Sequence, residues 1–308
     1  MTTKIEWADA TINPVVGCSH CSPGCDHCYA ERFAARMAKN PNPKISGKYA
    51  GVVDEKGKWT GRVNLHMDGC LYAATVTRKP KRFFIGSMTD IFHENIPDEE
   101  IRSLFLSMTI VPNDLPTYMV LTKRPHRAKA VLGDMLVACP ELHRVWLGVT
   151  VCNQAEADEK IPVLLQTPAA ARFVSVEPML EAVDLRGKLC HWTCPDGSGS
   201  WFSPVPGKVH HRLLDWVICG GETGPGARPM HPDWVRGLRD QCQGARVPFF
   251  FKSWGEWAPN CLCGAKRPHP IIQRPTPGHV GCMFKCGKRR AGRLLDGVEH
   301  NEFPEATV

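Results

Sequence analysis

Four cysteines fall within eleven positions near the start of the chain: Cys18, Cys21, Cys25 and Cys28, in "GCSHCSPGCDHCYAERFAARMAKN". Thiolates this close in sequence are ligands for soft metals, either zinc or an iron–sulfur cluster. Structural zinc takes four ligands, usually as two CxxC-type pairs separated by a longer loop. Here the pairs Cys18/Cys21 and Cys25/Cys28 are separated only by Ser22, Pro23 and Gly24, a short span for two zinc knuckles. The other reading lies in "CSPGCDHC", a C-x3-C-x2-C pattern. Three thiolates would hold three irons of a 4Fe–4S cluster and leave the fourth for the amino and carboxylate groups of S-adenosylmethionine. An electron passed to the sulfonium would then release a 5′-deoxyadenosyl radical, the cofactors carrying the hard chemistry.

Other residues able to do chemistry stand at the ends of apolar runs. They are Ser87 and Asp90 in "GSMTD", Lys123 and Arg124 in "LTKRP", Glu177 in "SVEP", Glu222 in "GGETG" and Lys252 in "FFFKS". Lys123 and Glu177 lie within or beside apolar stretches, where a charge is costly unless paired. Arg124 suits bidentate recognition of a carboxylate or phosphate. Six later cysteines (Cys190, Cys194, Cys261, Cys263, Cys282 and Cys286) are candidates for a zinc site or auxiliary cluster, since inserted segments poor in apolar residues often need a metal to fold. Trp254 and Trp257 flank Lys252's segment as core, lid or base-stacking groups. Lys288, Arg289, Arg290 and Arg293 offer phosphate contacts or a solvated tail.

Positioning these groups requires a regular scaffold, and the chain supplies one. Short apolar runs occur at 82–90, 117–125, 144–151, 171–179, 214–222 and 247–255, with helical patterns between most of them. Such alternation predicts parallel strands covered on both faces, α/β in class, as a partial or complete (β/α) barrel. In such barrels the carboxyl ends of the strands build the site, which is where the polar residues above fall. The cysteine loop follows a weakly marked first strand and is anchored by a helix with an apolar stripe at Tyr29, Phe33 and Met37. Pro162 is expected to split the helix in "NQAEADEKIPVLLQT" into two pieces. "VVDEKGKWTGRV" reads as a hairpin and 187–213 as a loop insertion. Residues 1–257 are expected to form the barrel, with insertions at 40–81 and 187–213, and 258–308 a Cys- and Lys/Arg-containing extension.

The 308 residues are 43% hydrophobic and 22% charged, as in a globular protein, and no apolar run approaches the ~20 residues of a membrane span. The N-terminus lacks the succession of a signal peptide, so a cytoplasmic location is expected. There, clustered cysteines among the total of 15 are more often metal ligands than disulfides. The net charge of +7 fits an anionic partner such as nucleic acid, and equally plain solubility.

Longer motifs add a resemblance. "IEWADATINPVVGC…SPGCDHCYAERFA", "GSMTDIFHENIPDE", "LTKRP", "LGVTVCNQ", "RFVSVEPML", "LDWVICGGETGPGARPMHPDWVRGLRDQC", "VPFFFKSWGEW" and "GKRRAGRLLDG" resemble a phage and prophage family described as radical-SAM-like and named for its three-cysteine motif. The resemblance covers nearly the whole chain except 40–81, 187–213 and 258–286. It implies a radical-SAM-type barrel distantly similar to spore photoproduct lyases. It also implies that Cys18, Cys25 and Cys28 match the family's cysteines, an aliphatic residue standing where this chain has Cys21. Cys25 and Cys28 are ligands under either reading, and the third is Cys18 or Cys21. A tripeptide similar to Gly220-Gly221-Glu222 touches the methionine amino group in radical-SAM enzymes, but after the second strand. "GSMTD" occupies that place here, making Ser87 and Asp90 the candidates for methionine contact. His27 stands where such enzymes place an aromatic against adenine, or is a surface histidine. Lys123, Glu177 and Glu222 are the candidate catalytic groups, with Lys123, Arg124 and Glu177 also candidates for holding S-adenosylmethionine.

The resulting expectation is a radical enzyme acting on a nucleobase, nucleotide or phage DNA in the host cytoplasm, supplied by an unidentified electron donor. The alternatives are a zinc-stabilised nucleic-acid-binding protein without redox chemistry, and a radical enzyme acting on a peptide or small metabolite.

Overall fold

In the parallel sheet, strand order in space is strand order in sequence. The strands are β1 (Ala10–Ile12), β2 (Lys81–Ile85), β3 (Pro116–Thr122), β4 (Val145–Val151), β5 (Ala171–Val176), β6 (Trp216–Gly220) and β7 (Phe249–Ser253). This computed structural model describes residues 3, 5–110, 114–133, 135, 144–193, 199–200, 209–259, 271–272 and 283–305. The order does not return from β7 to β1, so the seven strands make a partial (β/α) barrel. The helices of eight or more residues among those described are α1 (Tyr29–Ala38), α2 (Asp98–Thr109), α3 (Pro125–Leu132), α4 (Gln154–Leu165) and α5 (Pro232–Gly244). None of the described helices is long and apolar enough to cross a membrane.

The interior strands form because their residues are apolar on both faces. Every position of β4 ("VWLGVTV") and β6 ("WVICG") is buried, as parallel strands covered on both sides require. The helices follow ordinary rules. In α2, Asp98, Glu99 and Glu100 occupy the first turn, where the positive helix end favours acids. Its Ile101, Leu104, Phe105 and Met108 recur at helical spacing on the buried face.

Contacts divide the chain into two compact units. The first is Met1–Val149 with Val163–Arg172, the second Thr150–Pro162 with Phe173–Val308. In the first, β1 pairs with β2, β2 with β3 and β3 with β4, all in parallel. In the second, β5, β6 and β7 pair in parallel, with a register shift between Cys219 and Gly220.

The structure changes two local expectations and decides two that the sequence left open. Helix α4 runs unbroken through Pro162. That residue lies on the exposed face, where water can satisfy the carbonyl left without a donor, while Ala157, Ile161 and Leu164 hold the buried face in the core. Within 187–213, Cys190–Thr193, Gly199–Ser200 and Val209–Arg212 form a three-stranded antiparallel sheet in place of a loop. An inserted backbone must pair its polar groups, and a local ladder does so. Trp254 and Trp257 are core residues whose indole N–H groups donate to the carbonyls of Leu294 and Ala227, so neither is a surface for stacking bases. Finally, α1 turns its aromatic stripe outward. Tyr29 is 51% and Phe33 38% exposed, while Ala30, Glu31 and Ala34 face inward. The expected hairpin is present, closed by an antiparallel bridge between Val53 and Trp59.

Candidate metal centre and its surroundings

The cysteine loop leaves the carboxyl end of β1, beside the carboxyl ends of β2 and β3. In open α/β sheets this is where ligands bind. Gly17 opens the loop with φ of 111°, and a Cβ there would lie 2.1 Å from the Arg62 carbonyl oxygen. No other residue type fits that backbone. The Thr89 hydroxyl donates to the Gly17 carbonyl at 2.6 Å, tying the loop to the rim of β2. Ser22 accepts from the Gly24 N–H and starts the short turn Pro23–Cys25. Cys28 then caps α1.

Two clusters hold the loop in place. The first centres on Arg124, just past β3. Its guanidinium donates to Asp90 (3.3 Å), Glu94 (2.9 Å), the Ser19 hydroxyl (2.7 Å) and the Ser19 carbonyl (3.2 Å), and lies 3.9 Å from the Cys18 sulfur. Burial opposes its charge, but Asp90, the Cys21 and Cys18 thiols and Glu94 outweigh this and hold the guanidinium protonated. Asp90, 6% exposed, also accepts from the Thr122 hydroxyl (2.7 Å) and from the backbone N–H groups of Lys123 (2.8 Å) and Phe92 (3.0 Å). The second cluster centres on Glu31, 2% exposed, which accepts from Lys58 Nζ and the Trp59 N–H and lies 2.9 Å from His20 Nε2. It ties the loop and α1 to the 53–59 hairpin.

All four thiols are unbridged. Burial and then the Asp90 charge push Cys18 up to about 11. Cys21 and Cys25 share a hydrogen bond, which raises Cys21 and draws Cys25 down to about 5, with Lys123 and His20 adding to the latter against the burial cost. Soft sulfur donors backed by Arg124, Lys123 and His20 are chemically suited to an anionic iron–sulfur group. Among the described residues, no three His, Cys, Asp or Glu side chains are gathered to hold one metal ion. The thiols are thus not drawn into a closed ligand set for zinc or for a cluster, and it is their number and softness that suit them to either. Of the later cysteines, Cys190 is buried and Cys286 half-buried, and neither belongs to such a group. Cys194, Cys261, Cys263 and Cys282 lie outside the described residues.

The remaining candidates are placed as follows. The Ser87 hydroxyl donates to Asn13 at 3.0 Å, and its carbonyl accepts from the Tyr29 hydroxyl at 2.7 Å. His27 is half-buried in the turn before α1. The Asp90 carboxylate is engaged by four donors of the protein itself. In the second unit, Glu177 pairs with Lys252, at the ends of β5 and β7. Glu222, 7% exposed, accepts from the Arg228 guanidinium at 2.6 and 2.9 Å and from its backbone N–H at 2.7 Å. Sequence reading missed His20, Glu31, Lys58, His93 and Glu94.

His93 is fully buried and accepts the Asn95 N–H at Nδ1, which leaves Nε2–H to donate to Ser19 at 2.9 Å. Burial and the nearby Arg124 charge push its pKa down. For Glu94, burial acts upward, but its own backbone N–H, Arg124 and Ser19 bring it from 4.5 to about 2. A folded value below the unfolded one stabilises above pH ~4.5, and that stabilisation is lost as pH falls through ~2. The wild type should therefore exceed Glu94→Gln in urea midpoint at pH 6, with the gap closing towards pH 2. The gap should be modest, because the carboxylate is 57% exposed. A gap independent of pH would show that the charge of Glu94 is not what holds Ser19 and Arg124.

The fold and site together define a parallel α/β partial barrel bearing a four-thiol loop at the carboxyl end of its first strand. The chain belongs to the DUF5131 family, described as "Protein of unknown function", whose model matches residues 2–304. Among solved structures, it is similar to a spore photoproduct lyase double mutant with bound AdoMet and dinucleoside spore photoproduct. That match has 11% identity and a TM-score of 0.41, covering 90% of this chain and 68% of the other. A spore photoproduct lyase complexed with dinucleoside spore photoproduct matches at 10% identity and a TM-score of 0.41, covering 92% and 70%. No curated protein matches.

Proposed function

We propose that this chain is a radical S-adenosylmethionine enzyme acting on a nucleobase, nucleotide or nucleic acid. The observation that carries the reading is the cysteine loop: unbridged thiols at the carboxyl end of β1, set against Arg124 and Lys123 at the carboxyl end of β3. Cys25, Cys28 and one of Cys18 and Cys21 would hold a 4Fe–4S cluster. When bound, that group supplies the electron that cleaves S-adenosylmethionine to the 5′-deoxyadenosyl radical.

The protein's own residues do the positioning. Arg124 and Lys123 offset the negative charge of thiolates and of a carboxylate ligand. Asp90 orients Arg124 and the 122–124 backbone, so it acts as a positioning residue. Ser87 and His27 would be the groups that meet methionine and adenine. In the second unit, the Glu177–Lys252 pair offers a matched proton acceptor and donor to a polar substrate group. Glu222 orders the 222–228 turn through Arg228.

Purification without oxygen, followed by iron and sulfide analysis and a dithionite-driven cleavage assay, tests the reading. The expected result is a brown protein with about four irons per chain that releases 5′-deoxyadenosine. A colourless protein containing only zinc, or an iron protein that leaves S-adenosylmethionine intact, would refute it.

A further inference from the structure

We propose that the exposed face of α1, with the segment that follows it, is a stacking platform for single-stranded nucleic acid. This rests on the enzymatic reading for its purpose, but not for its chemistry. The helix is inverted relative to its composition. It buries Ala30, Glu31 and Ala34 against Val16, Val52 and Met88, and leaves Tyr29 and Phe33 to solvent. Tyr29 and Phe33, four residues apart, share one face. Tyr49 meets the Phe33 ring edge-on at 6.3 Å, and the Arg36 guanidinium lies over that ring at 5.0 Å.

The segment that carries the rings is cationic, with exposed Asp26, Asp54 and Glu55 lying outside it. Residues 32–48 contain Arg32, Arg36, Lys39, Lys44 and Lys48 and no acid; of these, Arg36, Lys39, Lys44 and Lys48 are exposed. Glu31, the acid just before them, is buried and paired. Exposed aromatic rings within a field of positive charge are the arrangement that holds single strands: bases stack on the rings while phosphates meet the cations. An acidic protein surface would answer the charge but not the partly exposed rings, and duplex DNA would offer no unstacked bases. The face begins at Tyr29, the residue after Cys28, so a strand lying on it is delivered beside the cysteine loop.

The test is fluorescence anisotropy of the full-length chain with labelled 12-nucleotide single-stranded DNA, the same sequence as RNA, and the DNA duplex, over a range of salt. Both single strands should bind more tightly than the duplex, and the DNA–RNA comparison identifies the natural strand. Phe33→Ala should weaken binding about tenfold with an unchanged salt slope, and Phe33→Trp should restore it. Lys44→Glu/Lys48→Glu should weaken binding and reduce the salt slope by roughly 1.4, about 0.7 per lost phosphate contact. Circular dichroism melts of each variant show whether it is folded. Absence of single-strand binding, equal duplex binding, or a folded Phe33→Ala with wild-type affinity would overturn the proposal. The two readings fail separately. A wild type without iron or cleavage activity refutes the enzyme yet leaves Phe33-dependent binding standing, and an iron-loaded wild type that ignores single strands refutes the platform alone.

Discussion

Replacing Asp90 with alanine should destabilise the protein by about 3–5 kcal/mol, the usual cost of removing one partner from a buried ion pair. Asp90 is 6% exposed, and its Arg124 partner's side chain 12%. Without the carboxylate, the Thr122 hydroxyl and the Lys123 and Phe92 N–H groups lose their acceptor, and the guanidinium keeps only Glu94 and Ser19. Asp90→Asn keeps the shape but turns an amide N–H towards one of those donors, so an intermediate loss is expected. Urea denaturation measures both effects. Because Arg124 also fixes Ser19 and Cys18, alkylation of the loop thiols should accelerate in Asp90→Ala under native conditions. A midpoint within about 0.5 kcal/mol of wild type, or unchanged alkylation, would show that the loop is held by something else.

Cys25→Ala should abolish iron binding outright, and S-adenosylmethionine cleavage with it. Cys25 is the buried member of the loop, hydrogen-bonded to Cys21 and near the Lys123 charge, and it belongs to every ligand set that the spacing allows. Cys28→Ala should behave alike. Of Cys18→Ala and Cys21→Ala, one should lose its iron and the other keep it, since three thiolates suffice for a cluster with an open corner. Iron retained in Cys25→Ala would dismiss the loop as the ligand source. Loss of metal in all four variants would favour a four-thiolate site. Circular dichroism separates ligand loss from unfolding.

Most of the scaffold was legible because β2 to β7 are apolar runs of strand length, separated by helical patterns except between β5 and β6. The first strand was the weak one: Ala10–Ile12 is three residues long and carries no run of its own. The thiols and the Lys123-Arg124 rim announced themselves by residue type. Their supports did not. Glu31 reads as an ordinary first-turn acid until the hairpin 27 positions downstream covers it, and His93 as a surface histidine until Ser19, 74 positions away, meets its ring. The direction of α1 is not legible for a related reason. Periodicity shows that a helix has two faces, but which of them is covered depends on Val52 and Met88, which no local pattern reveals.

One consequence concerns the order of events during synthesis. Cys18 and the guanidinium that fixes it are separated by 106 positions. On a ribosome, the thiols emerge early, while Arg124 is still to be translated. The nascent loop can gain its Glu31 and Thr89 contacts early, but the contact that fixes Cys18 forms only after β3 has been made and docked.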